Sequence, residues 1–338
     1  MSPPNKIITL EEHWCSQHIR TYYKTKGIPD PNDESGVVGL MTPVLQEWGP
    51  NRLKDLEDNN ITTQIVSHVS NTIPIDSATC SLANDDMAQQ ISQNPKGRYK
   101  GFAILPMNEP QAAAAELRRC VNNLGLVGAL IDDNTSGRFY DDPSFWPVFA
   151  TAEELDVPMY IHPSPNNSTK SLLYDGNYPD AIAIALSQFG WGWHSSCAIT
   201  FLRMFSSGFF DTYPNVKIVL GHMGEMLPFQ FDRISSITSR FFPAVGVELK
   251  RGLREVWDTN VWVTTSGMFS LAPIACLVRM MKKERIMLSV DFPFTRNELG
   301  VKFLESLKAD GMVSEEEWEG IAWRNAEKLL KLFVIDDA

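Results

Sequence analysis

The sequence lacks the features that mark several classes of protein. None of its hydrophobic runs reaches the roughly 18 residues that a membrane-spanning helix needs. Its first residues contain no apolar segment of the kind found in secretory signals. Lysine and arginine form no cluster, and the formal net charge is -11, which disfavours binding to nucleic acids or anionic membranes. We therefore expect a soluble, cytoplasmic protein with no nucleic-acid or membrane partner.

Cysteine is scarce and scattered. The 5 cysteines form no CxxC pair, so we expect reduced thiols in an intracellular protein and no disulfide framework. The sequence also lacks internal repeats and low-complexity tracts. With 43% hydrophobic and 21% charged residues, the composition is that of a folded globular protein with a large core.

Short apolar runs alternate with helical patterns along the whole chain. The helical patterns include residues 111–125, which end at a glycine, residues 142–156, and residues 314–333, which begin with the capping box SEEE. Apolar strands separated by helices are typical of a parallel sheet. Eight such units predict an α/β fold, a (β/α)8 TIM-like barrel that forms a single domain over residues 1–338. The predicted strands are residues 7–13, 63–69, 100–106, 126–133, 157–163, 216–224, 261–267 and 286–293.

Two connections are too long for simple turns. One covers residues 14–53, after the first strand, and the other covers residues 164–200, after the fifth. Long loops in compact domains are usually functional. Both follow the carboxyl end of a strand, the face on which barrels place their active sites. We therefore expect both loops to border the active site.

Side chains that can bind a metal stand at the ends of the first, fifth and eighth predicted strands. Residues i and i+2 of a strand face the same side, so Glu11 and His13 should point into the barrel mouth and Glu12 away from it. A mixed set of nitrogen and oxygen ligands suits a borderline divalent ion such as Zn²⁺ or Mn²⁺. The sequence thus predicts one such ion per chain, with the ligands Glu11, His13, His162 and Asp291.

Each of these residues also has a purely structural interpretation. A single histidine at a strand end is often a hydrogen-bonded core residue, Asp291 could cap the following helix, and Glu11 could be half of a buried ion pair. Their joint occurrence favours the metal site. The remaining histidines fall outside the set. We expect His18 on a solvated loop, His68 away from the inward positions or on the pocket wall, and His194 in an aromatic loop where it could touch a substrate.

Seven segments carry a recognisable family pattern, namely residues 10–13, 101–130, 155–163, 206–228, 264–270, 285–294 and 324–332. In order, and over nearly the whole chain, they resemble metal-dependent non-oxidative decarboxylases of ortho-hydroxybenzoic acids within the amidohydrolase superfamily. The γ-resorcylate and 2,3-dihydroxybenzoate decarboxylases are examples. LEEH, the GHMGE block and SVDFPF are specific in combination and weak singly.

The resemblance implies roles for individual residues. The family's metal ligands fall on the same four residues as the strand-end pattern. Its catalytic histidine falls on His222, with Glu225 as the carboxylate that orients it. Arg233 matches an arginine that binds polar groups of the substrate, across a subunit interface; a surface salt bridge is the alternative. Asp132 stands where related enzymes usually have asparagine, which puts the identity of the substrate in question.

The implied reaction is decarboxylation of an ortho-hydroxylated benzoic acid, of the 2,3-dihydroxybenzoate, γ-resorcylate, salicylate or orsellinate type, to the phenol and CO₂. The carboxylate and phenolate oxygens would chelate the metal. Asp291 would protonate the ring carbon that bears the carboxylate, and His222, polarised by Glu225, would assist as an acid or base. The side chains expected to wall a pocket for a flat ring are Trp191, Trp193 and Phe294.

Three other functions stay open at this point. The first is a mononuclear metal-dependent hydrolase of a lactone or amide, in which Asp291 would activate a water. A two-metal hydrolase is disfavoured because strand four ends in Ile131, Asp132 and Asp133, without a lysine to bridge two metals. The others are a hydratase of an unsaturated acid and a catalytically inactive binding barrel. The family also implies a homodimer or homotetramer.

Overall fold

A parallel barrel forms the centre of the protein. The computed structural model describes residues 6–30, 41–165 and 170–332. Strands β1 to β3 form one sheet and β4 to β8 another, each with sequential neighbours paired in parallel. Two isolated parallel bridges, Leu10 to Ser289 and Ala103 to Ala129, join the sheets at both seams. The predicted (β/α)8 barrel is therefore confirmed. Its strands are β1 Ile8–Trp14, β2 Thr63–His68, β3 Tyr99–Gly101, β4 Ala129–Asp132, β5 Pro158–His162, β6 Lys217–Leu220, β7 Val261–Thr264 and β8 Ile286–Met287.

Helices surround the barrel and form the long connections. In the part of the chain that the structure describes they are α1 Gln17–Lys26, α2 Thr42–Leu45, α3 Pro50–Asp58, α4 Ser77–Gln93, α5 Pro110–Leu124, α6 Trp146–Leu155, α7 Lys170–Leu173, α8 Asp180–Ser187, α9 Gly192–Ser206, α10 Phe209–Thr212, α11 His222–Glu225, α12 Leu227–Ala244, α13 Leu253–Asn260, α14 Leu271–Met280, α15 Asn297–Asp310, α16 Glu315–Glu319 and α17 Asn325–Leu330. None of these helices is long and apolar enough to cross a membrane.

The helix ends and caps predicted from the sequence agree with the structure, with one exception. Helix α5 ends at Gly125 in the left-handed conformation. Ser314 and Glu317 form the predicted capping box of α16. The predicted helix 314–333 is, however, interrupted by a π-helical turn over Gly320–Arg324. The carbonyl of Ile321 accepts a hydrogen bond from the Leu288 N–H of the barrel (3.0 Å), so the interruption ties this helix to the last strand.

The core has an inner and an outer layer. Alternate strand residues fill the barrel, with Phe102 and Tyr160 as the bulkiest. Leu329 and Leu330 of α17 pack against these inner side chains at the amino end of the barrel. The carboxyl end is therefore the end at which a site can form. The opposite strand faces pack against the helices in a larger apolar layer. Each fully buried apolar side chain contributes roughly 1.5–3 kcal/mol to stability.

The seam between β1 and β8 depends on a side chain. Glu12, which points away from the barrel mouth as expected, accepts hydrogen bonds from the backbone N–H groups of Val290 and Phe292 (both 3.0 Å). The Phe292 carbonyl in turn accepts from the N–H of His13 (2.6 Å). Regular pairing of β8 with β7 stops after Met287, because the next N–H on that ladder, that of Ser289, donates to the hydroxyl of Thr265 (2.9 Å) instead of a backbone carbonyl. Strand β8 is therefore shorter than the predicted 286–293.

The long connections lie where they were expected, after β1 and β5. The first contains α1, α2 and α3, and the second contains α7, α8 and the start of α9. Parts of both, residues 31–40 and 166–169, lie outside the described residues. The five cysteines are free thiols, and all but Cys276 are buried.

Replacing Glu12 with alanine should destabilise the seam. Two buried N–H groups would lose their acceptor, which costs about 1–3 kcal/mol each, so we expect the free energy of unfolding to fall by roughly 2–5 kcal/mol. Urea denaturation measures the change. Glu57→Ala is the control, because the Glu57 side chain is 66% exposed and forms only a long surface ion pair with Arg98. Equal effects of both substitutions would contradict this role.

Candidate metal centre and active site

Strands β1 and β5 and the segment after β8 bring the four predicted metal ligands together. Ligand atoms of Glu11, His13 and His162 lie within 4.8 Å of one another, and these side chains are buried. The Oδ1 atom of Asp291 lies 3.1 Å from Nε2 of His13, and Nε2 of His162 lies 3.1 Å from Oε1 of Glu11. The four side chains therefore form one group at the carboxyl end of the barrel. We call this group of candidate ligands for a single ion the metal cluster.

Two of these ligands, Glu11 and Asp291, have a strained backbone conformation. Glu11 has a φ of 59° and Asp291 a φ of 67°, both in the left-handed region that residues other than glycine rarely adopt. The pairing of β1 with β2 shifts register between Thr9 and Glu12, so Glu11 lies in an irregular part of the strand. Such conformations cost about 1–3 kcal/mol each and cluster at functional sites. The simple alternation used for the sequence therefore grouped the residues correctly but did not predict this irregularity.

The polar atoms in the metal cluster fit a divalent cation. Oε1 of Glu11 and both ring nitrogens of His13 are buried and form no hydrogen bond within the described part of the chain. Buried polar atoms without partners are costly. A carboxylate, two imidazoles and a second carboxylate are a donor set that suits Zn²⁺ or Mn²⁺, and an ion bound among them would satisfy Oε1 of Glu11 and one ring nitrogen of His13.

A neighbouring hydroxyl fixes which nitrogen of His162 faces the cluster. The Ser70 hydroxyl donates to the Pro163 carbonyl (2.6 Å), so it accepts from Nδ1 of His162 (2.7 Å). A proton on Nδ1 leaves the lone pair of Nε2 free to bind a metal. Partners of this kind orient metal ligands in many sites.

The second oxygen of Glu11 has hydrogen-bond donors of its own. The hydroxyls of Tyr160 and Ser266 both donate to Oε2. Burial opposes the charge of Glu11, but the nearby histidines, His222 first among them, hold the pKa of this carboxyl well below its usual range. Glu11 is thus an ionised, fully buried carboxylate with one oxygen hydrogen-bonded and one turned to the cluster.

His222 and Glu225 lie beside the metal cluster on the tight turn α11. Nδ1 of His222 donates to Oε1 of Glu225 (2.8 Å), and Nε2 of His222 is 3.8 Å from Oε1 of Glu11. Burial lowers the pKa of His222, but Glu225 and Glu11 outweigh it and raise that pKa to about 10. His194, which the sequence left outside the set, also contacts Glu225: its Nδ1 lies 2.8 Å from Oε2.

The residues predicted to contact the substrate occupy different positions. The ring of Phe294 lies 5.4 Å from that of His13, beside the metal cluster. Trp191 is 53% exposed at the start of α9, and Trp193 packs edge-on against Phe189. Arg233 lies on the exposed face of α12. Of these four side chains, Phe294 is thus the one that contacts a residue of the metal cluster, His13.

A cavity of about 370 Å³ lies among the loops that follow β2, β3 and β4. His68 lines its wall, which was one of the two positions expected for it. Asp132 also lines the cavity and pairs in register with His162 on the neighbouring strand, so the cavity adjoins the metal cluster. Burial raises the pKa of Asp132 to about 7.

Replacing Ser70 with alanine should weaken metal binding. The variant removes the partner that keeps the proton on Nδ1 of His162, and losses of such partners typically reduce metal affinity by roughly 10- to 100-fold. Competition with a chromogenic chelator measures the affinity. Ser81→Ala is the matched control, because the Ser81 hydroxyl bonds Glu116 on the outer helices. Unchanged affinity in Ser70→Ala would show that His162 does not depend on this hydroxyl.

Comparisons with known proteins agree on the family. The amidohydrolase family model matches residues 53–332. The decarboxylase orsB of Emericella nidulans is 40% identical over 98% of both chains, and a γ-resorcylate decarboxylase of a Polaromonas species is 32% identical over 97% of this chain and 99% of its own. The crystal structure of a dihydroxybenzoic acid decarboxylase from Polaromonas, with bound manganese and the inhibitor 2-nitroresorcinol, superposes with a TM-score of 0.83 at 32% identity, over 97% of each chain. This chain belongs to the amidohydrolase family, in the group that includes the γ-resorcylate decarboxylases.

Proposed function

We propose that this protein catalyses the metal-dependent, non-oxidative decarboxylation of an ortho-hydroxylated benzoic acid to a phenol and CO₂. The observation that carries the proposal is the metal cluster next to the His222–Glu225 pair. The decarboxylase orsB and a γ-resorcylate decarboxylase match nearly the whole chain at 40% and 32% identity, which supports the same chemistry. Candidate substrates are 2,3-dihydroxybenzoate, γ-resorcylate, salicylate and orsellinate.

In this proposal one divalent ion, Zn²⁺ or Mn²⁺, is held by the metal cluster. When bound, the ion would supply positive charge for the carboxylate and phenolate oxygens of the substrate and would lower the pKa of the phenol. Ionised Glu11 and the Nε2 lone pair of His162 are the donors best prepared for it, since Tyr160 and Ser70 hold them in place.

Asp291 is the proposed proton donor. Direct loss of CO₂ from an aryl carboxylate would leave an sp² carbanion, which is too costly. Protonation of the ring carbon that bears the carboxylate removes this problem: the proton comes from Asp291, the C–C bond then breaks, its electron pair returns to the ring, and CO₂ leaves. Asp291 regains a proton from solvent. Its side chain is 18% exposed, so it can exchange protons with water.

His222 is proposed to hold the phenolic oxygen of the substrate. Its Nδ1 proton is committed to Glu225, and its Nε2 faces the metal cluster. With a raised pKa, His222 can carry a proton on Nε2 and donate a hydrogen bond to the oxygen while the ring transiently loses aromaticity. Phe294, Trp191 and Trp193 are proposed as walls for the flat ring, and Asp132 as a contact for a ring substituent that reaches the cavity.

Helix α12 supports the proposal of a homo-oligomer. Three of its exposed apolar side chains, Phe229, Ile237 and Phe241, form a stripe with Arg233 at a spacing of four or eight residues, and the exposed Val245 follows directly after the helix. Exposed apolar patches of this kind mark interaction surfaces. A second copy of this chain packed on the stripe would also explain a substrate-binding role for Arg233, if the stripe brings it to the site of the partner. We propose a cytoplasmic homodimer or homotetramer, in which residues 1–338 form one domain.

Asp291→Asn should abolish phenol formation while the fold persists. The amide cannot donate an acidic proton, so we expect turnover to fall at least about 1,000-fold. The test incubates Zn²⁺- or Mn²⁺-loaded protein with the four candidate acids and analyses the products by chromatography. No phenol from any of the acids with metal bound would reject the proposal in favour of a hydrolase, with lactones to be tested next.

Breaking the stripe on α12 should dissociate the oligomer. Phe241→Asp would place a charge in an apolar interface, and we expect sedimentation velocity to give a lower mass for it than for the parent. Phe189→Asp, at an exposed aromatic residue outside α12, is the control and should leave the mass unchanged. A monomeric parent protein would overturn the proposal of an interface.

A further inference from the structure

The carboxylate of Glu225 lies between two histidines from different parts of the chain. Its Oε1 accepts from His222 on the α11 turn, and its Oε2 lies 2.8 Å from Nδ1 of His194 on helix α9. The two imidazole rings are 4.6 Å apart. Glu225 is fully buried, so each of its oxygens depends on one histidine for compensation.

Both ring nitrogens of His194 lie next to hydrogen-bond acceptors. Its Nδ1 faces the Glu225 carboxylate, and its Nε2 lies 3.2 Å from the carbonyl oxygen of Phe189. Although burial opposes the charge, His222 and His194 hold the pKa of Glu225 below its usual range, so Glu225 is an acceptor. A carbonyl oxygen also only accepts. Both ring nitrogens of His194 therefore face acceptors, so each is placed to donate a hydrogen bond.

The turn that His194 contacts needs external support. Five consecutive residues, His222–Met226, have φ values between 45° and 87°, and four of them are not glycine, so the turn is strained. His222 and Glu225 both lie in it. Helix α9 approaches from outside and places one charged hydrogen bond on the carboxylate. Since Nδ1 of both histidines lies 2.8 Å from an oxygen of Glu225, the three side chains form one hydrogen-bonded unit.

We propose that His194 is a positioning residue for the decarboxylation: as an imidazolium fixed by the Phe189 carbonyl, it holds Glu225, and through Glu225 it aims the ring of His222 at the substrate. This inference rests on the proposed function. A hydrogen bond from His194 to Oε2 fixes the orientation of the Glu225 carboxylate, so Oε1 stays directed at Nδ1 of His222 and Nε2 of His222 stays directed at the substrate. His194 also couples the aromatic segment 189–193 to the same carboxylate.

Kinetics of substitutions at position 194, in the metal-loaded protein with its best substrate, test the proposal. His194→Phe removes both donors, and we expect kcat to fall about 10- to 100-fold with KM changed less than about threefold. His194→Asn keeps an N–H donor near the position of Nδ1 and should recover most of that loss. In a Glu225→Gln background, His194→Phe should cost less than about twofold more, because its effect passes through Glu225. His18→Gln, at an exposed histidine on α1, is the matched control.

Full activity of His194→Phe, or the same loss in the Glu225→Gln background, would overturn the proposal. A readout independent of turnover is ¹⁵N NMR of the Zn²⁺-loaded protein labelled at its 6 histidines, with His194→Asn to assign the signal. Two protonated ring nitrogens at neutral pH support the proposal, and a single protonated nitrogen contradicts it. If the parent decarboxylates no hydroxybenzoate, the proposed function fails, and this spectrum still decides the state of His194.

Discussion

The buried charge of Glu11 is the constraint on which the site depends. A carboxylate removed from water loses several kcal/mol of solvation unless charges and donors replace it. Tyr160 and Ser266 satisfy one of its oxygens, while the other faces His162 at 3.1 Å and His222 at 3.8 Å. Oε1 of Glu11 and the ring nitrogens of His13 form no hydrogen bond in the described part of the chain, so a bound cation would compensate the buried charge of the cluster.

Holding this arrangement requires both ends of the chain. Glu11 belongs to the first strand and Asp291 follows the last, and both have left-handed backbones. Glu12 binds the N–H groups on either side of Asp291, so the residue next to one ligand positions the other. The contacts that close the barrel between β1 and β8 thus hold Glu11 and Asp291 in fixed positions relative to each other. A similar division holds at His222 and Glu225, where a strained turn carries the reactive groups and helix α9 supports them.

The sequence predicted the parts of the site that follow from strand periodicity. Glu11, His13, His162 and Asp291 could be grouped because the ends of parallel strands meet at one rim. Ser70 and His194 could not be found in this way, since they reach their partners from a loop and a helix whose positions depend on tertiary packing. The short β8 was missed for a related reason: the side chains of Thr265 and Glu12 accept from backbone N–H groups that a regular strand would donate to its neighbour. The aromatic residues were identified by type, which does not reveal that Trp191 is half exposed whereas Phe294 lies against His13.

The central claim is that a proton is delivered to the ring carbon that bears the carboxylate before CO₂ departs. The most direct measurement is the conversion of a candidate hydroxybenzoate by the metal-loaded protein in D₂O, followed by proton NMR and mass spectrometry of the phenol. The account predicts one deuterium per molecule, at the carbon that carried the carboxylate. A phenol without deuterium at that position, or a product that retains its carboxylate, would contradict it.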